Sequence, residues 1–150
     1  MIPFDWEAAI GGSGPYMRGA GAALGAALVL VTVAGCSSVT DRGDAAAAVA
    51  VRMLTAAAER DAAAACALLG PDTLGELEQS ADKPCAEAIL AENLPQPGRV
   101  SASEVYGQRA QVRLSGDTVF LAVFPGGWRV VAAGCTARGE KPYDCVLQGG

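Results

Sequence analysis

Small and apolar residues dominate the chain after Asp44, and they recur at helical spacing. Taken at 100° per residue, Ala46, Ala50, Met53, Leu54 and Ala57 fall on one side of "AAAAVAVRMLTAAAER", while Arg52, Thr55 and Glu59 fall on the other. The alanines favour a helix by propensity, and Asp44 stands where an N-cap would accept a backbone N–H. Asp61 is read in the same way, as the cap of a shorter helix, "AAAACALLG", which Gly70-Pro71 stops. "TLGELEQ" and "KPCAEAILAENL" predict one or two more short helices.

At "PQPGRV" the pattern changes from alanine-rich to alternating and β-branched, which puts the boundary between a helical and a sheet half near Gly98. In "RAQVRLS", Ala110, Val112 and Leu114 alternate with Arg109, Gln111 and Arg113, as in a sheet with one wet face. Ser115-Gly116-Asp117 predicts a hairpin turn into "TVFLAVF", which is apolar on both faces and is expected to be covered on both. Pro125-Gly126-Gly127 turns that strand into "WRVVAAGC", and "YDCVLQ" follows the loop "TARGEKP". The fold class is therefore α+β: N-terminal helices packed on a curved antiparallel sheet of about four strands, in one domain over 44–150. The element order, with the "D…AAAAC.LL" stretch and the "GGWRVVAAGC" strand, resembles the nuclear transport factor 2-like cone fold over about 44–148. That resemblance implies a pocket lined by the sheet, where enzymes of the fold often place an acid.

Ahead of the domain, "GAGAALGAALVLVTVAG" from Gly19 to Gly35 carries no charge and follows Arg18 directly. Basic, then apolar, then small is the layout of a secretory signal, and so short a run rich in Gly and Ala suits a cleaved peptide better than a permanent span. Val33-Ala34-Gly35-Cys36 resembles the lipobox of bacterial lipoproteins, which implies a diacylglyceryl thioether on Cys36 and a mature chain beginning there. Attachment is then to the membrane, at its outer, extracytoplasmic face. Residues 17–35 form the signal, and residues 36–43, small and polar, are expected to be a lipidated tether. Asp5 and Glu7 put acid where a signal wants base, so residues 1–16 read as an upstream start that is not used, or as a short tail that does not fold. The ending "GGWRVVAAGCT…PYDCV" is similar to small secreted lipoproteins of high-GC actinobacteria.

The whole chain has 150 residues and a net charge of −5, without the basic stripe that a nucleic-acid partner requires. Beyond Cys36 stand Cys66, Cys85, Cys135 and Cys145, an even set in a chain read as exported. Two disulfides are expected. Of the three pairings possible, the locally closed one joins Cys66 to Cys85 and Cys135 to Cys145. A zinc site is disfavoured, because no cysteine pair has a short ligand spacing and the chain has no histidine.

The lack of histidine also removes the commonest general base, and no G-x-S-x-G elbow occurs. Gly11-Gly12-Ser13-Gly14 precedes the signal and reads as flexible chain rather than as a phosphate loop. The cone resemblance implies Glu104 beside Tyr106 as the acid to consider, since Val100, Ala102, Glu104 and Tyr106 share one face of an ideal strand. The competing reading is a solvated edge residue. No catalytic residue, metal or cofactor is assigned. The expectation is a non-catalytic binding or accessory domain with a modest pocket between helix and sheet, lined by Met53, Phe120 and Trp128. Its partner is a hydrophobic small ligand or an envelope protein. The alternatives are a small isomerase or hydrolase using Glu104, and a structural partner of envelope proteins.

Overall fold

Ser38, not Asp44, starts the first helix. In the computed structural model, which describes residues 38–149, α1 runs Val39–Ala58. The Ser38 hydroxyl accepts the Asp41 N–H at 3.1 Å, and Asp41 Oδ2 accepts the Ser38 N–H at 3.0 Å. This reciprocal pair satisfies two backbone donors at once, which Asp44 alone could not do. It also lowers the Asp41 carboxyl below its usual range, through the Ser38 hydroxyl first and then the Ser38 N–H. Residues 39–43, expected to be tether, are thus the first turn of a helix. The expected signal at 17–35, the lipidated Cys36 and residues 1–16 lie outside the described residues.

Beyond Ala58, α1 is closed by Arg60, which adopts a left-handed φ of 62° while the Asp61 N–H donates to the Ala56 carbonyl at 2.8 Å. Asp61 then caps α2 (Ala62–Ala67), its Oδ1 accepting the Ala64 N–H. Pro71 occupies the first turn of α3 (Pro71–Ala81), and α4 follows at Cys85–Ala91. The Cys66–Cys85 disulfide binds α2 to α4.

The sheet has five strands rather than about four: β1 (Val100–Tyr106), β2 (Arg109–Leu114), β3 (Asp117–Phe124), β4 (Gly127–Arg138) and β5 (Lys141–Gln148). They form an antiparallel meander in the order β1-β2-β3-β4-β5. Strand β1 carries little apolar signal, and its alternation is broken by a register shift between Val100 and Ala102. Val100 lies opposite Leu114 and packs against the core, whereas Ala102 lies opposite Arg113. Val100 therefore does not share the face of Glu104 and Tyr106. Every hairpin closes through two residues, one of them a glycine at positive φ. The expected "TARGEKP" loop shrinks accordingly to Gly139-Glu140, and Cys135 and Cys145 face each other as disulfide-bonded register partners inside the last hairpin.

Helices and sheet meet in one core, in which Met53, Leu54, Ile89, Val112, Val119, Leu121 and Val130 are the large side chains almost wholly removed from solvent. Gly43 lets α1 approach β1 closely, so that Ser103 Oγ donates to the Gly43 carbonyl at 2.6 Å; a Cβ there would stand 3.1 Å from that oxygen. Strand β3, expected to be covered on both faces, turns Val119 and Leu121 into the core. Phe120, between them, stays outside it and meets the ring of Tyr143 edge-on at 5.0 Å. No helix among the described residues is long and apolar enough to cross a membrane.

Candidate functional site

Among the described residues, Met53, Phe120 and Trp128 do not lie together on one face of the sheet. Met53 is completely buried in the core, on the side of the sheet that the helices cover. Phe120 sits on the other side, because a strand turns successive side chains to opposite faces. Trp128 is half-buried at the margin of the core, with the Arg42 guanidinium 5.6 Å from its ring centre. Close packing separates them: alanines such as Ala46 and Ala50 bring α1 near the sheet, and Met53, Leu54 and Leu121 pack the space between.

Glu104 and Tyr106 do meet, as their spacing of two predicts. The Tyr106 hydroxyl donates to Glu104 Oε2 at 2.9 Å, and Arg113 Nη2 bonds Oε1 at 2.7 Å. All three lie on the exposed side of the edge strand β1 and its neighbour β2; Tyr106 is 64% exposed. The hydrogen bond to Glu104 raises the Tyr106 hydroxyl above its ordinary range, and the nearby carboxylate charge adds to the shift. A carboxylate with one oxygen on a cation, the other on a phenol, and water around it is equipped to hold an edge strand. It is not lodged in an apolar pocket that would tune it for proton transfer.

Asp117 is a buried acid that the sequence offers only as a turn residue. At the start of β3 it accepts the Cys135 N–H at 2.8 Å and the Gly134 N–H at 3.3 Å. Burial pushes its carboxyl above the usual range, against the pull of the N–H groups of Cys135, Gly134 and Thr118. The carboxylate satisfies the backbone where β4 departs from regular register with β3. Its signal in the sequence was Asp closing a Ser-Gly turn; only the fold brings Gly134 to it.

Open space lies on the surface instead. A shallow groove of about 450 Å³ between α1 and α2 has Val51, Ala56, Ala64 and Leu68 along it and Arg52, Glu59 and Asp61 at its rim. A smaller cleft of about 120 Å³ is bounded by Gly70, Thr73, Arg109, Ala122, Phe124 and Val131. On the outer face of the sheet, Gln111 Nε2 donates to the Tyr143 hydroxyl at 3.0 Å beside Phe120. The described residues contain no group of three or more acids, cysteines or histidines that could hold a metal. Comparison with protein-family models, with curated proteins and with solved structures returns no match, so the function is argued from the chain's own residues.

Proposed function

We propose that the protein is a lipoprotein, held to the outer face of the cell membrane through Cys36, whose domain is a non-catalytic binding or accessory module. The observation that carries this reading is Val33-Ala34-Gly35-Cys36 at the end of an uncharged run, two residues before the cap of the first helix. The two disulfides agree with it, since such bonds persist in an oxidising compartment. The surroundings of Glu104 argue for the non-catalytic side of the proposal. The α1–α2 groove, apolar along its length with a polar rim, suits a hydrophobic ligand or an apolar side chain of an envelope protein better than the filled interior does.

The cone likeness belongs to the proposal at the level of layers. Helices on one face of an antiparallel sheet support it, whereas an enclosed cavity of the kind its enzymes use is replaced here by packed side chains. The test is intact-mass measurement on protein extracted from membranes. A mature chain beginning at Cys36 with added lipid mass, lost in Cys36→Ser, is the expected result; a chain that begins elsewhere, or an unmodified Cys36, overturns it. Turnover of a hydrophobic ketone or epoxide, abolished by Glu104→Gln in a folded protein, would replace the non-catalytic reading with the enzymatic one.

A further inference from the structure

We infer that the lipid holds the domain in one orientation on the bilayer, with the end bearing the α1 N-terminus, the β1–β2 turn and Trp128 against the phospholipid headgroups. This rests on lipidation at Cys36. Ser37 alone separates Cys36 from Ser38, so the two are two steps apart, a reach of roughly 7 Å at full extension. A flexible tether of about 20 residues would instead average roughly 25 Å and leave the domain free to tumble. Nothing beyond Ser38 lengthens the link, because Ser38 is locked in its reciprocal cap with Asp41.

The first turn of α1 is also fixed to the rest of the fold. Arg42 Nη2 donates to the Gly107 carbonyl in the β1–β2 turn at 2.6 Å, and its guanidinium lies over Trp128 at the start of β4. Ser103 of β1 holds the Gly43 carbonyl. Anchoring Ser38 therefore carries this end of the fold with it. Its chemistry suits the interface: Val39 is 67% exposed beside the anchor, and Trp128 and Arg42 are residue types that settle at headgroup depth. Asp41 and Asp44 offset Arg42, so contact follows from the covalent lipid and does not depend on salt. Strand β4 leads away from Trp128 over its 12 residues, and at about 3.3 Å per residue its far turn, Gly139-Glu140, lies roughly 35 Å off along the strand. The stapled β4–β5 hairpin is thus presented away from the membrane.

The test uses the full chain, expressed, extracted from membranes and returned to phosphatidylcholine vesicles containing a dansyl-headgroup lipid. The sequence has two tryptophans, Trp6 and Trp128, and cleavage before Cys36 leaves Trp128 alone. Energy transfer from Trp128 is compared with that from the Trp128→Phe/Glu140→Trp protein, after intact mass has established lipid on both. Transfer several-fold stronger from Trp128 is the expected result. Equal transfer, or stronger transfer from position 140, overturns the orientation and leaves the anchor standing; absence of lipid on Cys36 overturns both. Should the double substitution unfold the domain, hydrogen exchange on the unsubstituted protein decides. Vesicle attachment should slow exchange at Gly107-Gln108 and spare Gly139-Glu140, and the reverse pattern overturns the proposal.

Discussion

Gly134→Ala is the substitution on which the described packing is most exposed. Gly134 has φ +67°, and a Cβ there would lie 2.8 Å from both Cβ and Cγ2 of Val146. A left-handed alanine costs about 1–2 kcal/mol, and forcing a methyl into occupied space adds about 1–3 kcal/mol, so the loss is roughly 2–5 kcal/mol. Relief is difficult. The Cβ of Val146 moves only with the β5 backbone, which the neighbouring Cys135–Cys145 bridge ties to β4, and the Gly134 N–H is engaged by Asp117. Gly139→Ala is the internal control, because it has nearly the same φ, +66°, with nothing within 4 Å of its Cβ. Urea unfolding followed by circular dichroism should therefore rank Gly134→Ala well below Gly139→Ala, by the overpacking contribution alone. If the two variants fell within about 0.5 kcal/mol of each other, the close approach of β4 and β5 at Gly134 would be wrong.

Three further outcomes follow from the same geometry. Replacing Cys66 and Cys85 by alanine opens a loop of separation 19 and should cost about 3.2 kcal/mol, against about 2.7 kcal/mol for Cys135 and Cys145 at separation 10. Thermal melts of the two double variants check that order, and a larger loss at the β4–β5 hairpin would contradict it. Burial raises the Asp117 carboxyl, so the folded state holds its proton more tightly than the unfolded chain. Its contribution to stability is thus full below the usual carboxylate range and lost as pH rises through the raised value. Urea midpoints taken from about pH 3 to pH 7 should show the advantage of the native protein over Asp117→Asn shrinking as pH increases, and growth with pH would refute the assignment. Glu104→Gln should change stability by no more than about 0.5 kcal/mol, since its ion pair with Arg113 is half exposed; a loss above about 2 kcal/mol in chemical unfolding would mean that the cluster holds the edge strand far more strongly than a solvated ion pair does.

Several features of the chain were legible from neighbouring residues alone. Helical period in 45–59, the cap at Asp61, the Gly-Pro stop at 70–71 and the Ser-Gly and Pro-Gly turns each draw on interactions within a few positions. Glu104 and Tyr106 belong to the same class, because a spacing of two on a strand makes neighbours whatever surrounds them. Even here local signals competed. Ser38 and Asp44 both look like caps, and Ser38 prevails because Asp41 returns its bond.

Register, burial and cavity were decided by tertiary structure. The shift at Val100 and the irregular pairing of β4 with β3 depend on which residue of another strand lies opposite, and a shift of one reverses every face that follows. That is why Val100 turned to the core, and why Asp117 became a buried acceptor for a glycine 17 positions away. Apolar side chains alone could not tell a lined pocket from a filled one. Met53 and Phe120 carry the same signal in the sequence, yet the helix covers one side of the sheet, so Met53 is sealed in the core while Phe120 lies on the other side against Tyr143. Periodicity says which residues share a face; the packing of one element on another decides what that face touches.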